Sequence, residues 1–245
     1  GWLLEREGRF AEAPPLYGAV LRTYFGGTFL YWTFHFFVVS VISMRLFAYE
    51  KQRGTWETLM TAPVSDATVV LGKWLAGVAF YVSLWLPTVL YVGLLSLYAP
   101  PGTGIDVGPV ASAYLGVWWS GAAFLAVGVG VSAAASDQII AALSVFVLLV
   151  LVLVAGLLPA IAPDLLAPGG RVASVLAAFD VREHLDDFAR GVVDARHVTF
   201  YLGLMVLGLF AAVVGVGRGR RPRTYLWRGA AGVGVLTLVV TLANW

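Results

Sequence analysis

The 245-residue sequence contains no cysteine and few charged residues. Without cysteine the chain can form no disulfide and no thiolate metal site, and it cannot use a cysteine nucleophile. Charged residues make up 12% of the sequence, whereas soluble domains carry roughly 25%. So few charges cannot cover a globule of this size with a polar surface, which excludes a soluble enzyme and a disordered chain. The formal net charge of only +2 gives no indication of nucleic-acid binding.

Long apolar stretches make up most of the sequence. Hydrophobic residues account for 60% of the chain, and the mean hydropathy is +0.85. A helix that spans a bilayer needs about 20 consecutive apolar residues, and six stretches approach that length. We therefore predict an all-α, polytopic integral membrane protein with about six transmembrane helices. The predicted spans are residues 27–48, 70–98, 110–135, 139–161, 198–216 and 229–245.

The basic residues indicate an orientation in the membrane. Lys and Arg are costly to translocate, so they remain on the cytoplasmic side. The densest basic cluster lies between Arg218 and Arg228, and placing it inside also puts residues 45–73 and 136–138 inside. The predicted outside segments are then 1–26, 99–109 and 163–197, and the last of these is rich in acidic residues.

The inside segment 45–66 is the most informative part of the sequence. Thr55 can cap a short helix that carries Glu57 in its first turn, and Pro63 is expected to end it. Ser65 or Asp66 would cap the next helix. The short helix would present the apolar side chains of Trp56, Leu59 and Met60 on one side. From these residues alone, an ordinary loop held at the lipid headgroups explains the segment equally well.

The order of residues in this segment resembles the loop between the second and third spans of ABC-2 type transporter permeases, the transmembrane subunits of type V-like exporters. The matching residues are Glu50, Arg53, Gly54, Thr55, Glu57, Leu59, Pro63, Val64, Ser65, Gly72 and Lys73. The turn at residues 61–66 is most similar to the gliding-machinery type of permease. We call residues 45–66 the coupling segment, because the resemblance implies that a cytosolic ATPase docks there.

The resemblance implies roles for particular residues. The residues expected to couple to the ATPase are Glu50, Arg53, Gly54, Thr55, Trp56, Glu57, Leu59, Met60 and Pro63. Gly72, Lys73 and Trp74 are expected to anchor the following helix at the membrane interface, where long cations and indoles are favoured.

A second segment is similar to the entry to the last core span of the same family. Its matching residues are Phe188, Gly191, Val192, Asp194 and Arg196, with His197 where an acid is usual. The resemblance implies short outside helices at about residues 171–190, immediately before the fifth span.

The resemblance also divides the chain. Residues 27–217 would form the permease core, preceded by an outside or interfacial segment at 1–26. Residues 218–228 would form a basic cytosolic loop, and 229–245 an additional span like the anchor that joins some gliding-type permeases to an exported domain. We expect a further span before residue 1 and a continuation after residue 245.

The implied function is that of a transmembrane permease subunit in the bacterial inner membrane. A cytosolic ABC ATPase dimer would hydrolyse ATP with Mg²⁺, and a second permease copy or a paralogue would complete the pathway. This chain has no phosphate loop, since Ala67 and Trp74 replace its first Gly and its Ser/Thr around Gly72-Lys73. We therefore expect no enzymatic activity and no cofactor or metal in the chain itself. Membrane lipid and an outside accessory protein are further expected partners.

Two other classes of function remain open. The chain could be a membrane anchor or assembly component of an envelope or motility machine, whose ATPase remodels it without moving a solute. An intramembrane enzyme is less well supported, because no catalytic pair falls at membrane depth. The near absence of charge within the spans argues against ion-coupled transport. It fits a hydrophobic cargo or the transmission of force.

Several smaller features have two interpretations. Asp180, Glu183, His184, Asp186 and Asp187 could bind a divalent metal or could form a solvated helix face. His35 could be functional or could hydrogen-bond a neighbouring helix. The small residues of the third span could form a dimer seam or pack within one subunit, and the two span prolines could be hinges or static bends. The small residues of the third span are Ala122, Ala126, Gly130, Ala134, Gly128 and Ser132, and the two span prolines are Pro87 and Pro159.

Overall fold

The computed structural model describes residues 29–98, 107–162 and 170–217, and within these ranges the regular structure is entirely α-helical. We number the helices of these ranges in chain order. They are α1 (Phe29–Met44), α2 (Ala48–Arg53), α3 (Trp56–Thr61), α4 (Asp66–Tyr98), α5 (Val107–Ala134), α6 (Gln138–Ile161), α7 (Arg171–Ala177), α8 (Val181–Ala189) and α9 (Ala195–Gly217).

Five helical stretches in the described part of the chain are long and apolar enough to cross a membrane. They are Leu30–Arg53, Asp66–Leu94, Val107–Ala134, Gln138–Ile161 and Ala195–Gly217. The predicted fold class, an all-helical polytopic membrane protein, is confirmed. The predicted sixth span at 229–245, the segment 1–26 and the basic loop 218–228 lie outside the described residues.

Helix α5 is the central helix of the bundle. It contacts α1, α4, α6, α8 and α9, and its contact with α9 is the most extensive. The small-residue ridge of α5 lies at that contact. A Cβ atom at Gly208 of α9 would lie 2.5 Å from the Ala126 oxygen, and one at Gly130 would lie 3.0 Å from the Gly208 oxygen. Of the two interpretations of this ridge, packing within one subunit is therefore correct for Ala126 and Gly130.

The centre of the bundle is filled by aromatic rings around His35 of α1. His35 is fully buried, and its Nδ1 atom lies 3.1 Å from the Tyr31 hydroxyl and 3.2 Å from the Tyr81 hydroxyl of α4. Tyr81 also lies within hydrogen-bond distance, 3.2 Å, of the Val117 carbonyl oxygen of α5. The predicted hydrogen bond between His35 and a neighbouring helix is confirmed.

The two ends of the bundle differ. The C-terminal ends of α1, α5 and α9 and the N-terminal ends of α4 and α6 lie at the coupling end, where the coupling segment is located. Helices α7 and α8 lie at the opposite end, α7 against α6 and α8 mainly against α5. The two span prolines interrupt neither helix, since α4 continues through Pro87 and α6 through Pro159.

Replacing Gly208 with alanine should destabilise the bundle. The added methyl group would overlap the backbone of α5, which cannot move aside as a side-chain tip can, and overpacking of this kind costs about 1–3 kcal/mol. Thermal unfolding of the detergent-solubilised protein should show a lower midpoint. Gly93→Ala is the matched control, because a Cβ at Gly93 would meet nothing within 4 Å. An unchanged midpoint for Gly208→Ala would contradict the close α5–α9 packing.

Candidate functional site

The coupling segment turns sharply between α2 and α3 at Gly54. Gly54 has a φ of 73°, a conformation that glycine adopts without strain and that commonly ends helices. Its amide donates to the Lys51 carbonyl at 3.2 Å, and the Thr55 amide donates to the Glu50 carbonyl at 3.1 Å. A Cβ at Gly54 would meet nothing within 4 Å, so the backbone conformation alone explains glycine here.

Helix α3 rests on the bundle through its apolar side. Trp56, Leu59 and Met60 are half-buried against a cluster that includes Phe47 and Val70. The rings of Phe47 and Trp56 meet edge to face with centroids 5.8 Å apart. The predicted amphipathic helix is therefore present, and its apolar side contacts its own chain.

The ends of α3 and the start of α4 correct one detail of the prediction and confirm another. Thr55 precedes α3, but its side chain caps no amide of that helix. The Thr55 hydroxyl donates instead to the Glu50 carbonyl at 3.3 Å, because Thr55 has helical backbone angles that direct it back toward α2. Ser65 does cap α4, since its hydroxyl oxygen accepts from the Thr68 amide at 3.1 Å. Helix α3 ends at Thr61, two residues before Pro63.

Polar contacts fix α2 to the bundle. Glu50 and Lys73 form an ion pair of 2.6 Å between α2 and α4, with both side chains about three-quarters buried. Lys51 donates to the Ala133 carbonyl at the end of α5. Gln52 donates to Asp137 at 3.0 Å, and Asp137 also caps the start of α6.

The three predicted interface anchors lie at the start of α4. Lys73 reaches Glu50 and lies 5.0 Å from the centroid of the Phe47 ring. The Trp74 indole N–H donates to the Ala122 carbonyl of α5 at 2.9 Å. The polar atoms of both side chains thus have partners within the protein. The sequence had predicted contacts with lipid headgroups instead. Gly72 is exposed.

The residues predicted to couple to an ATPase therefore form two groups. Glu50, Trp56, Leu59 and Met60 face the bundle and hold the segment in place, whereas the others form its exposed side. The exposed group is Arg53, Gly54, Thr55, Glu57 and Pro63. Four further residues fix the segment and were not predicted from the sequence: Lys51 and Gln52 within it, and their neighbours Ser132 and Asp137 from the bundle. Only Asp137, a capping residue directly before an apolar run, carried a recognisable signal.

The second predicted motif lies at the opposite end of the bundle. Phe188 is buried, and a Cβ at Gly116 of α5 would come within 2.9 Å of it. Gly191 has a φ of 86° after α8. Asp194 accepts from the Arg196 amide at 2.8 Å and so caps α9. Val192 and the Arg196 side chain are exposed.

Two histidines stack between α8 and α9 at this end. The ring centroids of His184 and His197 are 4.2 Å apart, and the rings lie within 24° of parallel. They border a small cavity of about 200 Å³, together with Glu183 and Arg196. Across residues 29–98, 107–162 and 170–217, no three His, Asp or Glu side chains are grouped closely enough to hold a metal ion. The solvated-face interpretation of Glu183 agrees with its exposure.

Burial, and after it the neighbouring His197, lower the pKa of His184 to about 3, against the opposing effect of Asp194. His184 lies in α8, outside the five candidate spans. Its neutral ring is 94% buried and packs edge to face against Phe200 at 5.0 Å. The docking of α8 on the bundle therefore depends on an uncharged histidine.

Comparison with known proteins gives one match. The family model described as ABC-2 family transporter protein matches residues 33–188, which is more than half of the chain. The matched region begins in α1, contains the whole coupling segment and ends in α8. No curated protein and no solved structure matches the chain.

Acidification should destabilise the fold through His184. In the unfolded chain this histidine takes up a proton below its ordinary pKa of about 6.5, whereas in the folded protein it stays neutral until pH is near 3. The contribution of neutral His184 to the free energy of unfolding is thus fully present above pH 6.5, and it falls as pH decreases from 6.5 toward 3. Between pH 7 and pH 5 we expect a loss of about 2 kcal/mol. Thermal unfolding in detergent at several pH values measures it.

His184→Gln is the matched variant for this measurement. It removes the titrating ring but leaves a neutral polar side chain, so its stability should change less between pH 7 and pH 5. Equal pH dependence in the two proteins would show that His184 is not the group responsible.

Proposed function

The chain belongs to the ABC-2 transporter family, and on that premise we propose that it couples ATP hydrolysis by a separate cytosolic ATPase to export across the inner membrane. It is a multi-pass membrane protein, and the family's chains are the membrane subunits of ABC transporters. In this proposed function the coupling segment is the contact site of an ATPase dimer. The coupling end of the bundle would accordingly face the cytosol.

The two-sided structure of the coupling segment carries this proposal. Its apolar side, with Trp56, Leu59 and Met60, is covered by the bundle, and its polar side, with Arg53 and Glu57, is exposed. A segment held so firmly on one side cannot move without moving the helices beneath it. A motor that binds the exposed polar side would therefore transmit its movement to the spans.

The filled interior of the bundle supports an assembly of two copies or of a copy and a paralogue. The largest side chains at its centre are almost completely buried, and aromatic rings occupy the space between α1, α4 and α5. A pathway for cargo would then lie between two subunits rather than through one. The near absence of charge within the spans fits a hydrophobic or lipid-like cargo.

The same filled interior favours a second candidate function. A subunit with a solid core could transmit force to an assembly outside the cell without passing any solute. This role fits the gliding-machinery type of permease that the turn at residues 61–66 resembles. Reconstitution into vesicles distinguishes the two functions. Movement of a cargo that depends on ATP supports export, whereas ATPase stimulation without cargo movement supports mechanical work.

Reversing the charge of Glu57 should release the ATPase. Glu57→Arg places a cation on the exposed side of α3 without touching the buried side, so the permease should remain folded. We expect the amount of ATPase that copurifies to fall about tenfold or more, which corresponds to about 1.4 kcal/mol of binding free energy. The measurement is affinity purification from the native membrane, followed by an ATPase assay.

Glu183→Arg is the matched control for Glu57→Arg. It makes the same change at an exposed glutamate on the opposite end of the bundle, and copurification should stay unchanged. Normal recovery of ATPase with Glu57→Arg, or equal loss with both variants, would rule out α3 as the docking site.

A further inference from the structure

The chain bends between α1 and α2, and this bend leaves backbone amides that α2 cannot satisfy. The Arg45 and Leu46 amides donate back to Ile42 and Ser43, at 3.3 and 3.1 Å, and α2 starts anew at Ala48. The first amides of any helix have no partner within that helix. Phe47, which precedes α2, offers no side-chain acceptor. A buried helix start of this kind needs an acceptor from elsewhere.

Ser132 of α5 supplies that acceptor. Its hydroxyl oxygen accepts from the Phe47 amide at 3.2 Å and from the Ala48 amide at 3.1 Å. Ser132, Phe47 and Ala48 are all completely buried. One helix thus caps the start of another, across 85 residues of sequence.

The next residue of α5 holds the other part of α2. The ammonium group of Lys51 donates to the Ala133 carbonyl, one of the last carbonyls of α5 that lack a partner in their own helix. The same ammonium group lies 4.9 Å from the centroid of the Trp56 ring in α3. Lys51 therefore joins both short helices of the coupling segment to the end of α5.

Helix α5 cannot move away from α9 independently. The backbones of the two helices are in direct contact at Gly208, and a second close approach occurs where Gly215 of α9 faces Ala133. Displacement of the end of α5 must carry α9 with it, because packed interiors shift as units.

We propose that Ser132 and Lys51 are positioning residues that attach the coupling segment to α5, so that movement of the segment displaces α5 and α9 together. This inference rests on the proposed function, since it names the helices that the ATPase would move. The ion pair between Glu50 and Lys73 is a separate connection, to α4, and forms the alternative route.

The test measures movement in the complete complex of permease and ATPase in lipid nanodiscs. Because the sequence contains no cysteine, two spin labels can be placed at Leu143→Cys on α6 and Val206→Cys on α9, both exposed on the bundle surface. Pulsed electron resonance then gives the distance between the labels without nucleotide and with ATP plus vanadate. We expect a nucleotide-dependent distance change in the parent protein.

In Ser132→Ala, the fraction of labelled molecules that shows the nucleotide-dependent distance change should be about five- to tenfold smaller than in the parent protein. A loss of this size is typical of coupling between sites. The ATPase should still copurify with this variant. Ser120→Ala is the matched control. Ser120 is equally buried on the same helix, but its hydroxyl donates to the Val117 carbonyl of α5 itself. It should behave as the parent does.

Lys51 provides an independent pair of variants in case Ser132→Ala folds poorly. Lys51→Met keeps the aliphatic stem and loses the bond to Ala133, and it should reduce the distance change. Lys51→Arg keeps a cationic donor and should retain it. A purely structural role would lower the unfolding temperature without separating these two variants in the distance measurement.

The failures of the two proposals are distinguishable. If no ATPase copurifies with the parent protein, the proposed function fails. If the complex forms and both Ser132→Ala and Lys51→Met show the parent's distance change, the attachment to α5 is overturned. A change that survives in these variants and disappears in Glu50→Gln would assign the movement to α4 and overturn the proposal equally.

Discussion

The direct backbone contact between α5 and α9 is the constraint on which the rest of the bundle depends. Lipid removes the hydrophobic driving force between spanning helices, so their association relies on close packing. Gly208 permits that packing by bringing α9 against the carbonyl of Ala126. With α9 in place, α5 becomes a central helix that α1, α4, α6 and α8 can surround. The end of α5 is then firm enough to cap and hold a neighbouring segment.

The coupling segment combines two kinds of bonding in a short length of chain. Its apolar residues bury against the bundle, and its buried amides and partly buried charges bind to partners from α4 and α5. Such bonds are strong because water is excluded around them and an unpaired group would be costly. The exposed residues can consequently change partners without loss of the segment's position. One side of these short helices thus attaches the segment to the bundle, and the other side remains exposed.

The parts of the fold that depend on local sequence could be predicted, and the parts that depend on distant contacts could not. A span is a matter of length and composition, so the apolar runs indicated helices in the described regions, and Ser65 could be recognised as a cap from its neighbours. Thr55 was wrongly predicted to cap because its backbone angles follow from the turn at Gly54. The bonds of Trp74 to Ala122 and of Ser132 to Phe47 join residues far apart in sequence, and no local pattern encodes such pairs.

The length of α4 has a consequence for any partner that binds α3. At 1.5 Å per residue its 33 residues extend about 50 Å, whereas the hydrocarbon layer is about 30 Å thick. The predominantly apolar part begins at Leu75, so the nine residues from Asp66 to Trp74 add about 13 Å beyond it. The distance between the lipid and a protein bound at α3 is consequently determined by the length of α4 beyond its apolar part.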